Sequence, residues 1–456
     1  MEINNLVKKQ KEYFNSLETL SYEFRKNALL SLREAIISNQ LEIEEALFKD
    51  LGKNKVESYM AEIGIVLKEI SFMLKHLRKF MKSKRVKTSL TDFPAKTKIM
   101  PYPYGVVLIM SPWNYPINLT LSPLVGVIAS GNTCILKPSE YSENTSKIIS
   151  KMIKSIFPEK YISVITGDKN ISQTLLDQNF DYIFFTGSKN VGKIVMEKAS
   201  KHLTPVSLEL GGKSPCIIDE SASLKVAARR IVFGKYLNAG QTCIAPDYIF
   251  IHHSIKEEFI EYFKEALIEQ YGNNPLKNQD LCKIINQKHY NRLKKLLNNQ
   301  DIIIGGEYDD DLLKISPTII DNVTYTNKIM EDEIFGPILP ILVYNDIEEV
   351  INYINVNPSP LALYLFTNRK EIENKILKSC NFGGGCINDV IVHFANENLP
   401  FGGVGESGIG AYHGKNSFDT FTHYRSLIKK SNLIDIRFRY APYTSIKEKI
   451  IKWYLK

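Results

Sequence analysis

Two doubly wound α/β domains are predicted by three features of this sequence. Short, almost uniformly apolar runs recur at 105–110, 134–136, 162–165 and 182–185, as expected of strands buried on both faces. Helix-patterned stretches separate them, an alternation that implies right-handed crossovers and a parallel sheet. The alternation restarts after Glu209, with apolar runs at 217–218, 248–251, 339–343 and 362–366. A length of 456 residues suits two or three domains, and 44% hydrophobic with 24% charged residues is ordinary for a globular protein.

Ahead of the first strand, 5–80 reads as helical. Leu29, Leu32 and Ile36 recur at i, i+3 and i+7 among polar residues, and Asn39 stops that helix. The Thr- and Lys-rich stretch 86–100, broken by Pro94, reads as a projecting hairpin. The start at Met1-Glu2-Ile3 shows no basic-then-apolar leader, and no run approaches the ~20 apolar residues that span a bilayer. A cytoplasmic protein without stable membrane insertion is expected. The six cysteines (Cys134, Cys216, Cys243, Cys282, Cys380 and Cys386) form no C-x-x-C pair and no zinc-spaced cluster, so reduced thiols and no metal are expected. A net charge of +8 is too modest and dispersed for a nucleic-acid partner. Basic runs occur at 75–85 and 447–456. The second alternates Lys with Ile450, Ile451, Trp453, Tyr454 and Leu455, a pattern open to a solvated helix face, a subunit contact or weak contact with a membrane surface.

One segment carries chemistry. Gly240-Gln241-Thr242-Cys243 places a cysteine in a small, polar loop where little side-chain bulk shields an attacking thiolate. Glu209 precedes Gly211 and Gly212, whose backbone freedom leaves a carboxylate room to swing toward a bound molecule. The two lie 34 positions apart (243 − 209), which suits two ends of one folded site. With no Cys/His signature nearby, thiol plus carboxylate points to thioester chemistry rather than peptide cleavage.

Two glycine patterns mislead. Gly403 to Gly408 fits G-x-G-x-x-G by spacing, but it follows Pro400-Phe401-Gly402 instead of a buried strand. Gly187 to Lys193 matches seven positions of a P-loop, yet Ile194 stands where the magnesium-binding hydroxyl belongs. The latter context still matters, because a strand leads through a Gly turn into a helix starting near Asn190, and helix N-termini suit a pyrophosphate.

The Glu209 and Cys243 segments resemble the aldehyde dehydrogenase superfamily. The resemblance runs through Pro112-Trp113-Asn114-Tyr115-Pro116, Lys137-Pro138-Ser139-Glu140, Phe185-Thr186-Gly187-Ser188, 331–337 and Pro400-Phe401-Gly402-Gly403, in order. The ending 405–414 is most similar to the class 3 branch, typified by medium-chain, fatty and aromatic aldehyde oxidisers. It implies a Rossmann-like cofactor domain (1–82 and 100–208), a catalytic domain (209–410), and bridging or oligomerisation elements (83–99 and 411–456). It also implies a homodimer, and an aldehyde as the small-molecule partner.

For the site, the resemblance implies Cys243 as nucleophile, Glu209 as the base that activates water, and Asn114 as oxyanion donor beside the backbone N–H of Cys243. Lys137 and Glu140 are similar to residues that hold the adenosine ribose. A carboxylate there repels a 2′-phosphate and favours NAD, with NADP also open. Gly187, Ser188 and Gly192 lie where the family holds the dinucleotide's phosphates, and Leu210 and Gly211 join the cofactor site. Glu333 and Phe335 correspond to the nicotinamide ribose and ring contacts. Tyr115 and Phe401 are candidates for the substrate pocket. A CoA-acylating relative and a non-catalytic protein of the same fold remain the competing readings.

Overall fold

A computed structural model describes residues 3–455; Met1 and Glu2 of the start, and Lys456 of the basic tail, lie outside the described residues. The first parallel sheet runs, in spatial order, Ile162–Val164, Thr133–Lys137, Val106–Met110, Tyr182–Thr186 and Val206–Glu209, with Gly408–Ile409 added antiparallel at the last edge. The chain enters in the middle at Val106–Met110, builds outward one way and then the other. That is the doubly wound order, and its reversal beside Val106–Met110 opens a crevice at the carboxyl ends of the strands. Every residue of Val106–Met110, Thr133–Lys137 and Tyr182–Thr186 is buried, which explains their largely apolar character.

The second sheet is also mainly parallel: Thr318–Asp321, Ile338–Tyr344, Tyr248–His252, Pro215–Ile218, Ala362–Phe366 and Gly384–Ile387, with Asp301–Ile304 antiparallel at one edge. A third, antiparallel sheet joins Lys84–Val86, Ala95–Pro103 and Thr422–Lys430. The first two of these strands make the projecting hairpin expected from 86–100. The third brings the C-terminal part of the chain back beside it, a pairing that local sequence pattern does not carry. Helix Lys415–Thr420 packs on helix Asn118–Ser130, where Gly126 is required because a Cβ there would lie 2.7 Å from the Ser417 carbonyl oxygen. Among the described residues no helix is long and apolar enough to cross a membrane.

The N-terminal helices pack on the first sheet and on the helices that cover it. Helix Tyr22–Ser38 starts where the Ser21 hydroxyl accepts from Phe24 N–H and ends at Asn39, whose N–H bonds back to the Ala35 carbonyl. Asp50, at the end of helix Gln40–Leu51, caps helix Glu143–Ile156 from outside: its carboxylate accepts from the backbone N–H groups of Asn144 and Thr145 at 3.1 and 2.8 Å and from both side chains. Asp50→Ala is therefore expected to cost about 1–3 kcal/mol by stranding those donors, read as a lowered Tm in a thermal melt.

Candidate active site

The loop that carries Cys243 owes its shape to three successive left-handed residues after helix Leu224–Tyr236: Asn238 (φ 53°), Ala239 (φ 52°) and Gly240 (φ 72°). Gly240 is required twice over, since a Cβ there would also sit 2.3 Å from the Gly336 carbonyl oxygen. Gln241 locks the loop: its Nε2 donates to the Asn238 and Lys283 carbonyls at 3.0 Å each, and its Oε1 accepts from Ile285 N–H at 3.0 Å. Cys243 follows, partly exposed, as a free thiol. Burial pushes this thiol up, and the nearby carboxyl groups of Glu333 and Glu209 push it further; backbone N–H groups of Cys243 and Ile244 oppose them. Cys243 thus rests as a thiol rather than the thiolate that the open loop suggests.

Glu209 ends strand Val206–Glu209 and is 2% exposed, with neither carboxyl oxygen hydrogen-bonded. Burial alone holds its carboxyl well above the usual range. Asn114 is 3% exposed; its Nδ2 donates to the Gln241 carbonyl at 3.0 Å, which fixes the amide plane and leaves its other hydrogen available. Its own carbonyl accepts from Asn238 Nδ2 at 2.9 Å, so the oxyanion candidate and the nucleophile loop are tied directly. Tyr115 is buried and its hydroxyl lies 2.6 Å from Thr242 Oγ1, one residue before Cys243.

Ser188, Gly211 and Glu333 line one cavity of about 410 Å³ together with Gly212, Lys213 and Glu406. Ser188 precedes the twelve-residue helix Lys189–Ser200, whose first N–H groups open there. Gly211 is needed for space: a Cβ would fall 2.2 Å from Glu333 Oε2. Burial raises the Glu333 carboxyl to about 8, helped by Asp247 and opposed by Gly212 N–H, Lys213 and Arg292. Gly187 N–H bonds to the Glu209 carbonyl at 3.0 Å, joining the turn to strand Val206–Glu209. Gly192 faces Leu210, whose Cδ2 would lie 2.7 Å from an added Cβ. Phe335 takes a left-handed φ of 52° and meets Trp113 edge-on, with ring centroids 5.4 Å apart.

Lys137 and Glu140 lie outside the residues that line this cavity. Lys137 ends its strand buried, donating to the Pro138 carbonyl at 2.9 Å and reaching Glu140 at 3.5 Å. Burial lowers the ammonium, with Glu140 opposing. Phe401 belongs to an aromatic cluster with Phe394, Tyr412, His393 and His413, and pairs with Tyr412 through a backbone bridge. The Gly403–Gly408 pattern forms a tight turn: a Cβ on Gly403 would meet the Ser407 carbonyl oxygen at 2.2 Å.

Three groups around the site escape sequence reading. Lys213 donates to Asp247 at 2.6 Å and to the Ile329 and Asp332 carbonyls at 3.0 Å, stapling the Glu209 loop to the Glu333 loop; its place in the Glu209–Lys213 motif was the available signal. Lys235 is fully buried with no hydrogen-bond partner, and burial lowers its ammonium to about 8. Lys53 and Glu62 form a fully buried pair at 2.6 Å. Neither of the last two carries a signature in local sequence. Among the described residues no cluster of ligating side chains could hold a metal.

The family model for the aldehyde dehydrogenase family matches residues 1–427. The chain belongs to that family. It is 50% identical over 448 residues to the 4,4'-diaponeurosporen-aldehyde dehydrogenase of Staphylococcus aureus, covering 98% of this chain and 97% of that protein. To aldehyde dehydrogenase family 3 member A2 of Rattus norvegicus it is 44% identical over 451 residues, covering 98% and 93%. A solved structure titled as the substrate-bound state of Staphylococcus aureus AldH superposes with a TM-score of 0.98 at 49% identity, covering 100% of this chain and 99% of that one. The relatives bear out the class 3 resemblance, and the two parallel sheets match the family architecture.

This aldehyde dehydrogenase oxidises aldehydes to carboxylic acids with NAD(P). The cavity fits such a group chemically, offering free N–H groups at a helix start, a side-chain-free floor at Gly211 and Gly212, and a carboxyl at Glu333 that can meet ribose hydroxyls.

Proposed function

We propose that Cys243 is the nucleophile, Asn114 the oxyanion donor and Glu209 the water-activating base of this oxidation. Bound nicotinamide supplies the hydride acceptor. Cys243 Sγ adds to the aldehyde carbon as its proton passes to solvent water. The free hydrogen of Asn114 Nδ2 and the Cys243 backbone N–H then steady the negative oxygen. Loss of hydride leaves a thioester on Cys243. Glu209, once ionised, takes a proton from water as that water attacks the thioester, and the acid departs. The observation that carries this reading is the Glu209 carboxyl, buried and without a hydrogen-bond partner at the end of its strand, close enough to Cys243 to help raise its thiol. A carboxyl so placed gains nothing structurally; it serves a proton.

Glu209 also favours water over coenzyme A as acyl acceptor, because transfer to a thiol needs no base of this kind. NADH formation from NAD and aldehyde is expected to proceed undiminished without coenzyme A. A strict coenzyme A requirement would overturn the hydrolytic reading. The pH profile follows from the raised carboxyl: its base form exists only above a pKa lying well beyond the ordinary carboxylate range. Deacylation should fall as pH drops through that raised value, while acylation also gains with pH because the thiol is raised too. A deacylation rate flat down to the ordinary carboxylate range would contradict a buried base.

Lys137, Glu140, Gly187, Ser188, Gly192, Leu210, Gly211, Glu333 and Phe335 are assigned to NAD, with Glu140 disfavouring a 2′-phosphate. Tyr115 and Phe401 are assigned to the aldehyde, with medium- or long-chain aliphatic and aromatic substrates in view. Support for the apolar end comes from the aromatic cluster around Phe401 and from the aldehyde in the name of the S. aureus relative. The residue divisions 1–82 with 100–208, 209–410, and the bridging pieces 83–99 and 411–456 are kept as functional units. A homodimer is supported by Tyr424, Leu427 and Ile428, exposed on the edge strand Thr422–Lys430. Six free cysteines suit a reducing, cytoplasmic setting.

A further inference from the structure

We infer that Lys53, through its buried pair with Glu62, is the positioning residue for the oxyanion donor, an inference that rests on the reading of Asn114 above. Both side chains are wholly buried, and Lys53 Nζ lies 2.6 Å from Glu62 Oε1. Such a pair is seldom better packing than apolar residues of the same volume, so its use is to be sought in what it holds. It holds the turn that carries Asn114. Lys53 Nζ donates to the Asn114 carbonyl at 3.3 Å and lies 4.2 Å from the centroid of the Tyr115 ring. Glu62 Oε2 accepts from the N–H groups of Ile117 and Asn118 at 2.8 and 3.1 Å. One ion pair thus grips residues 114–118 at both ends.

The delivery of Glu62 is itself unusual. Tyr59–Ile63 is a π-helical turn set between helices Lys55–Ser58 and Gly64–Phe80, a rare wide turn frequent at functional sites. The preceding helical turn carries Glu57, whose Oε1 accepts from Asn238 N–H at 2.9 Å. The same short stretch therefore braces the oxyanion turn through Glu62 and the nucleophile loop through Glu57. The Asn114 carbonyl is shared between Lys53 Nζ and Asn238 Nδ2, so loss of Lys53 frees one side of the residue whose amide must meet the developing charge.

The test compares Lys53→Met, which strands Glu62, with the double variant Lys53→Met/Glu62→Gln, which removes both charges and preserves the fold if the single variant does not. The rate of the first NADH burst is expected to fall tenfold or more, on the order of the loss that small misplacement of a reacting group causes. A primary isotope effect from C1-deuterated aldehyde should appear in that burst. NADH affinity by fluorescence titration and Cys243 alkylation by iodoacetamide should stay unchanged. A wild-type burst in the folded double variant overturns the inference. So does a parallel fall of burst, NADH affinity and alkylation, or failure of both variants to fold, since each makes the pair a general stabilising element. Asn114→Ala, run alongside, should slow the burst by about a hundredfold or more. A normal burst there would instead overturn the reading of Asn114 itself.

Discussion

Cys243→Ala is expected to abolish NADH formation while NAD binding persists. The loss expected is more than about ten-thousandfold, the scale on which removal of a covalent nucleophile acts. No neighbouring group can substitute. Cys216 and Cys282 are fully buried, and Cys386 sits in the second sheet beside His393. The fold should not suffer, because the loop is held by Gln241, Asn238 and the Gly240 turn rather than by the sulfur. The substitution leaves Ser188, Gly211 and Glu333 untouched, so NADH fluorescence titration should give wild-type affinity. Steady turnover in this variant would remove Cys243 from its role.

Glu209→Gln separates the two halves of the reaction. Gln is nearly isosteric, and neither oxygen of the native carboxyl is hydrogen-bonded, so exchange strands no partner and breaks no ion pair. Acylation needs no base at this position. The first turnover should therefore release about one NADH per site at near-normal rate, after which steady turnover falls by about 10²–10⁴, the usual worth of a general base. Stopped-flow absorbance at the NADH band reads both phases. An undiminished steady rate, with no burst, would assign the water to another group.

Local sequence carried the reactive segment because its backbone demands leave a residue signature. Gly240 must be glycine to take a left-handed turn against the Gly336 carbonyl, and Gly211 must be glycine to leave room for Glu333. The buried strands were legible for a similar reason: a strand covered on both faces tolerates few polar residues. Val206–Glu209 was not, being short and carrying Ser207 and Glu209. Nor were the return strand Thr422–Lys430 or the Lys53–Glu62 pair. Both are defined by partners far along the chain, at Ala95–Pro103 and at Asn114 to Asn118, and a charge pattern at 53 and 62 looks the same whether it faces solvent or a core. The raised Cys243 thiol likewise follows from burial and from Glu333 and Glu209, none adjacent in sequence.

The proposed oxidation passes through a thioester on Cys243, which mass spectrometry of Glu209→Gln after mixing with NAD and a medium-chain aldehyde would detect. The predicted adduct weighs the aldehyde less two hydrogens, is released by hydroxylamine, and maps to the peptide containing Cys243. An unmodified Cys243 during the stalled phase, or an adduct on any other residue, would contradict the account.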